Sequence, residues 1–240
     1  MLMRLKRFPL SNVRIKPIFL LADSQLLFHE GPDGLFIDRI RRCFDGDIVA
    51  NEVKASYIGA SNGDDPRFYQ IFKDAFRQVG VTNCRMIRVE PDVDDTIFLR
   101  DSNIFLLSGG DTTLGWRAIK RNGWDRALIQ KYQDGAVLMG ISAGAIQLGR
   151  TYYDKDIYSD PRYLQLIDYI VDAHPIDQWR ALKEEVAAAG HGAKGIGIPH
   201  GAGLVYNPDG SLEAIRFPCP ELFNVKGHVN MRLLDPLEYD

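Results

Sequence analysis

The sequence predicts an α/β fold: a doubly wound, mainly parallel sheet sandwich with a hairpin extension at its C-terminal end. Short apolar, β-branched runs alternate with amphipathic stretches of helical period. The runs are apolar on both faces, as strands covered on both sides must be. Past Gly195 the alternation gives way to closely spaced short strands separated by turn residues.

In chain order, the strands expected are Ile18 to Ala22, Val53 to Ala60, Arg85 to Val89, Ile104 to Leu107, Ala136 to Ile141 and Tyr169 to Ala173. Between the second and third, Phe68, Ile71, Phe72, Ala75, Phe76 and Val79 recur at intervals of mostly three or four. With Pro66 near the start and Gly80 just past the end, Pro66 to Gly80 reads as a sheet-covering helix whose aromatics are core residues. A second helix follows His174, with Ile176, Trp179, Leu182 and Val186 on one face and Lys183, Glu184 and Glu185 off it. Gly195 to Ile198, Gly203 to Tyr206, Leu212 to Phe217 and Val225 to Leu233 are separated by N-P-D-G and P-C-P turns and read as hairpins extending the sheet. No linker, repeat or low-complexity segment interrupts this pattern, so a single domain over 1–240 is the simplest organisation.

Composition excludes several classes. The chain has 240 residues, 45% hydrophobic and 25% charged, which is the balance of an ordinary globular protein. Its 29 Lys and Arg against 32 Asp and Glu give a formal net charge of -3 and no general attraction for nucleic acid or an anionic membrane. Cys43, Cys84 and Cys219 are odd in number and far apart, so neither a disulfide framework nor a zinc cluster is expected. The basic start M-L-M-R-L-K-R-F-P-L leads into an apolar run, Ile18 to Ala22, too short for a signal peptide and preceded by Asn12, Arg14 and Lys16. A cytoplasmic protein with no membrane partner is therefore expected.

The chemistry concentrates at A-V-L-M-G-I-S-A-G-A, residues 136 to 145. An apolar run of strand length meets Gly140, Ser142 and Gly144 and turns into small, helix-compatible residues, the form of a nucleophile elbow. The sharp turn forces the serine into a strained backbone that only small neighbours tolerate, and leaves its hydroxyl exposed at the strand end.

A serine hydroxyl needs a base within hydrogen-bond reach. Among His29, His174, His191, His200 and His228, His174 fits best, because it closes the strand-like Y-I-V-D-A-H and is expected on the same sheet edge as the elbow. His200, in P-H-G-A-G, is less well placed. A carboxylate should orient the imidazole, and the segment between serine and histidine offers Asp154, Asp156 and Asp160. Asp172, two residues before His174, reads as structural. An oxyanion hole needs two convergent N–H donors. Ala143 supplies one and Gly110, in the turn S-G-G-D-T-T, the other. The rival reading of that turn as a phosphate cradle lacks the lysine such a loop requires.

A G-G-D-T turn, G-x-S-A-G-A about 30 residues on, and D-x-H at a strand end together resemble the serine peptidase family of peptidase E (aspartyl dipeptidase) and cyanophycinase. The 32-residue spacing from Ser142 to His174 is the specific part. Y-I-G-A-S-N-G-D at Tyr57 to Asp64 and G-I-G-I at Gly195 to Ile198 extend the resemblance over about Val53 to Tyr206. It implies a class I glutamine amidotransferase-like fold, Ser142 as nucleophile, His174 as base, Gly110 and Ala143 as oxyanion donors, and a loop acid for which Asp156 is favoured. The chain departs from the family pattern at Asp111, where Asn is usual, at Pro175, where Phe is common, and at Gln178, the first position of an R-x-R whose second, Arg180, is kept.

The function expected is metal-independent serine hydrolysis of peptide or related amide bonds in small peptides, with an aspartyl or β-aspartyl preference as a finer expectation. No cofactor is expected. Arg180, Arg150, Asn62 and Asp64 are the expected contacts for the charged ends of a short substrate, and a homodimer is the expected assembly. The rival expectations are a binding or scaffold protein that keeps the fold without a working triad, and an amidase or esterase using the same serine.

Overall fold

The computed structural model describes residues 14–31, 34–44, 52–151, 163–174 and 178–237. Its strands are β1 (Ile18–Leu21), β2 (Glu30–Gly31), β3 (Gly34–Leu35), β4 (Lys54–Ile58), β5 (Asn83–Ile87), β6 (Ile104–Leu107), β7 (Val137–Ile141), β8 (Ile170–Ala173), β9 (Lys194–Ile198), β10 (Gly203–Tyr206), β11 (Leu212–Ile215), β12 (Cys219–Val225) and β13 (His228–Leu234). Its helices are α1 (Phe36–Arg42), α2 (Pro66–Gln78), α3 (Val93–Asp101), α4 (Thr112–Arg121), α5 (Trp124–Gln133), α6 (Ala143–Leu148) and α7 (Arg180–Ala189).

The larger sheet has the order β11-β10-β1-β7-β6-β4-β5. β1, β7, β6, β4 and β5 run parallel, and β10 and β11 add antiparallel strands at one edge. Side chains alternate across a strand, so each buried strand feeds two cores. On β1, Ile18 and Leu20 join Trp116, Ile119 and Leu128 of α4 and α5, whereas Phe19 and Leu21 join Ile37, Phe72 and Phe76 of α1 and α2. This two-sided packing is why β1, β6 and β7 carry no polar residues, and it is the sandwich expected.

α2 forms as its period requires. Asp65 caps it by accepting from the Arg67 N–H at 2.9 Å, Pro66 takes the first turn where no N–H is needed, and Gly80 follows its end at φ 78°. Phe72, Ala75 and Phe76 are buried, but Phe68 is 44% exposed and lines a cavity rather than the core.

The C-terminal part departs from the sequence expectation. β8 and the last strands do not extend the large sheet; they form a second one with the order β13-β12-β9-β8. Only β10 and β11, joined through the N-P-D-G turn, are added to the first. The P-C-P segment opens β12 instead of turning, and the run from Val225 to Leu233 is divided by Lys226 and Gly227. Both have positive φ, 54° and 87°, the signature of a tight two-residue hairpin turn.

α7 packs on the second sheet with Leu182 and Val186 against Ile170 and Leu222, and comes close to β9 because Gly195 and Gly197 have no side chains there. A Cβ on Gly195 would be 2.6 Å from Val186 Cγ2, and one on Gly197 would be 2.6 Å from the Trp179 ring. The apolar cluster containing Leu20, Leu138 and Leu148 also takes in Val171, Ile196 and Ile198 of the second sheet, so the two sheets share a core.

Candidate active site

β7 delivers Ser142 to the end of the large sheet, and α6 begins at the next residue. Ser142 has φ 48° and ψ −109°, a conformation L-residues rarely adopt. Its N–H donates to the Leu21 carbonyl at 2.8 Å and its own carbonyl accepts from the Ile146 N–H at 3.1 Å. The flanking glycines are steric necessities. A Cβ on Gly140 would lie 2.4 Å from the Gly144 carbonyl carbon, and one on Gly144 would lie 2.1 Å from the Leu107 oxygen. Strand and helix can meet this closely only without side chains.

The S-G-G-D turn lies against the elbow, where a Cβ on Gly109 would be 3.5 Å from Ser142 Cβ. Gly110 has φ 129°, and a Cβ there would fall 2.1 Å from the Ser61 oxygen, so glycine is required. Asp111 donates its N–H to that same oxygen at 2.7 Å, and its Oδ1 caps α4 by accepting from the Leu114 N–H at 2.8 Å. Asp caps a helix as well as Asn does, so the departure at this position leaves the turn intact. Among the described residues, no carbonyl accepts from the Gly110 or Ala143 N–H.

His174 follows the last residue of β8, with φ 63° and its N–H donating to the Ile198 carbonyl at 3.2 Å. It belongs to the second sheet, not to the edge of the elbow's own sheet. The loop from β9 to β10 joins the second sheet to the first and is held against the end of β1: the Ala22 N–H donates to the Ala202 carbonyl at 3.0 Å and the Gly201 N–H to Asp23 Oδ2 at 2.8 Å. Leu21, the neighbour of Ala22, holds Ser142. Ser142, His174 and Gly110 thus line one cavity of about 220 Å³. Among the described residues no hydrogen bond joins Ser142 Oγ to the His174 ring. The ring instead places Nδ1 2.7 Å from Nδ1 of His200.

The expected substrate contacts divide. Asn62 lines the cavity, donating from Nδ2 to the Tyr57 hydroxyl at 2.7 Å while its Oδ1 accepts from the Asp65 N–H at 3.2 Å. Burial pushes the Tyr57 hydroxyl up to about 12, so it stays protonated. Asp64 is not part of the cavity wall. At φ 60°, it turns its Oδ2 to accept from the Val89 N–H at 2.8 Å, and its Oδ1 is buried with no hydrogen-bond partner among the described residues. Burial raises its pKa above the ordinary Asp value, partly offset by the Val89 hydrogen bond. Arg150 pairs with Asp168 at 2.8 Å and lines a separate cavity of about 190 Å³, together with Asp172. Arg180 opens α7 and is exposed, away from the wall around Ser142. Asp154, Asp156, Asp160 and Pro175 lie outside the described residues.

Two site residues escaped the sequence reading. His200 stands at the end of β9 as His174 stands at the end of β8, and that shared strand-end position was the available signal. Asp23, just past β1, lines the cavity while its carboxylate accepts from the Gln25 and Gly201 N–H groups. Among the described residues, no group of three or more His, Cys, Asp or Glu is placed to hold a metal ion. None of the described helices is long and apolar enough to cross a membrane.

A parallel sheet ending in a strained serine at a strand-to-helix turn defines an α/β protein of the nucleophile-elbow kind. Residues 46–207 match the model of peptidase family S51, and the chain belongs to that family. It is 26% identical over 125 residues to the uncharacterized peptidase YgaJ of Bacillus subtilis (strain 168), a match covering 50% of this chain. The chain spans about half the length of that curated relative, 51%. Among solved structures, it resembles a candidate peptidase E from Listeria monocytogenes EGD-e, at TM-score 0.59 and 15% identity, covering 85% of this chain and 100% of the other. It also resembles a peptidase from an acI-B1 actinobacterium, at TM-score 0.55 and 15% identity, covering 93% and 96%. At these identities the two structures share the fold.

Proposed function

We propose that the protein is a serine peptidase that hydrolyses amide bonds in small peptides, with Ser142 as nucleophile and His174 as base. The observation that carries this reading is the strained Ser142, at φ 48°, opening into the same cavity as His174. Ser142 Oγ attacks the carbonyl carbon as its proton passes to the free ring nitrogen of His174. The carbonyl oxygen becomes an oxyanion facing the Gly110 and Ala143 N–H groups. The C–N bond then breaks and the proton moves from His174 to the leaving amine. Water attacks the acyl-enzyme, His174 takes the water's proton and returns one to Ser142 Oγ, and the carboxylic acid departs. The loop acid expected from the sequence, Asp156 first and Asp154 or Asp160 otherwise, is one candidate for the group that orients His174.

The cavity wall argues for substrate class. Leu27, Phe68, Ile71 and Phe72 make an apolar side, no Lys or Arg among the described residues lines the cavity, and Asp23 contributes a carboxylate. An aspartyl side chain would meet Asp23 with no cation among the described wall residues to receive it, whereas an apolar side chain would remove its own surface and that of the phenylalanines from water. The first residue of the substrate is therefore neutral and apolar rather than acidic. Dipeptides carrying acidic, β-linked aspartyl or apolar first residues, incubated with wild type and with Ser142→Ala, test both parts. Hydrolysis of the apolar group by wild type alone is expected. Cleavage restricted to the aspartyl peptides would reject the preference, and cleavage by Ser142→Ala would reject the mechanism.

A binding protein of the same fold is the second reading, favoured by the missing hydrogen bond between Ser142 and His174. Catalytic hydrogen bonds often tighten only around a bound substrate, so that gap does not displace the first.

A further inference from the structure

We infer that His200 is the positioning residue for His174, filling at Nδ1 the place that a carboxylate takes in a Ser-His-Asp arrangement. The inference rests on the serine hydrolase reading above and concerns how its base is held.

Two imidazole nitrogens 2.7 Å apart cannot both carry a proton or both lack one. One must donate and the other accept, which couples the tautomers of the two rings. When His174 donates from Nδ1, its Nε2 keeps a lone pair and is the nitrogen that can take the Ser142 proton. His200 then accepts at Nδ1 and carries its own proton on Nε2. In the opposite arrangement His174 is protonated at Nε2 and cannot serve as base. In the first arrangement His200 does for His174 what a triad carboxylate does for its histidine: it accepts the Nδ1 proton and fixes the ring. As His174 becomes an imidazolium, its Nδ1 proton remains directed at the His200 lone pair.

The surrounding backbone fixes this contact from both sides. His174 is tied to β9 through its N–H and the Ile198 carbonyl, two residues before His200. On the other side of His200, the Gly201 N–H is bonded to Asp23 and the Ala202 N–H closes a turn onto the Pro199 carbonyl at 3.0 Å. The ring centroids lie 4.1 Å apart, so the rings also pack against each other. Asp23 thereby serves the base at one remove, through the loop that carries His200.

The test compares His200→Ala, His200→Asp and Asp156→Asn with wild type on the peptide group that wild type cleaves. His200→Ala is expected to lower kcat by about 10²-fold or more while KM stays within about twofold. His200→Asp, which offers a carboxylate oxygen near the former Nδ1, should recover most of the loss, and Asp156→Asn should lower kcat less than His200→Ala does. A downfield proton resonance from the His174 Nδ1–H, present in wild type and in Ser142→Ala, should vanish in His200→Ala. If His200→Ala melts early, His200→Phe keeps the bulk of the ring and removes the acceptor. A kcat unchanged in both ring-removing variants overturns the inference and leaves the serine mechanism standing, as does a loss confined to Asp156→Asn. A wild type that neither turns over peptide nor takes up a serine-directed probe overturns both.

Discussion

Strain at Ser142 persists because its neighbours leave the chain no alternative. A positive φ on a residue with a side chain costs on the order of 1–3 kcal/mol, and here the Leu21 and Ile146 hydrogen bonds fix the peptide groups on both sides of it. This part of the site was legible in the sequence, since only Gly-x-Ser-x-Gly between a strand and a helix satisfies the contacts at Gly140 and Gly144. The His174–His200 contact was not legible, because it depends on two loops meeting 26 residues apart in sequence. Asp64 misled for a related reason: an exposed-looking polar residue in a turn turned out to be half-buried and bonded to Val89. Its pKa is raised, so its favourable contribution is present below the ordinary Asp value and is lost as pH rises through the folded value. Asp64→Asn removes the buried charge and retains a residue tolerant of φ 60°. Thermal melts should show the variant more stable than wild type at pH 7, with the difference shrinking on acidification. A variant less stable at pH 7 would mean that the carboxylate is stabilising there.

At the scale of elements, β1, β6 and β7 were readable because burial on both faces demands uninterrupted apolar runs. α2 was readable because one face must be apolar every three or four residues. α3 announces itself poorly, as Val93 and Ile97 are both exposed, and it is held instead by its capping box and by Asp95, which pairs with Arg85 and Arg88. The division of the C-terminal strands between two sheets was hidden because strand pairing is a long-range choice: β8 pairs with β9 across the whole of α7. α7 matters to the site through that pair. Gly197 lies opposite Asp172 on β8 and beneath Trp179, so Gly197→Ala forces the ring away and shifts the strand that ends at His174. Overpacking of this kind costs about 1–3 kcal/mol, or a Tm lower by about 2–4 °C for each kcal/mol. A melt that moves by this amount with a fall in peptide turnover is expected. An unchanged Tm would show that α7 gives way freely and that the strand is not held by it.

For the molecule as a whole, the candidate site draws on both sheets: the serine comes from the first, both histidines follow strands of the second, and the described cavity wall is built from the first sheet's strand ends, their loops and α2, with His174 added from the second. The shared apolar cluster supports one cooperative domain, and the Gly197→Ala melt should accordingly shift a single transition; two separate transitions would divide the chain. Burial raises Cys84 to about 11 and Cys219 to about 12, leaving both of these thiols protonated at neutral pH. A serine-directed reagent therefore meets little competition from them. The most direct test of the account is exposure of the folded protein to a fluorophosphonate, followed by peptide mapping. A single adduct on Ser142, absent from Ser142→Ala and much slowed in His174→Ala, is the predicted result; a wild type left unmodified, or modified at another residue, would contradict it.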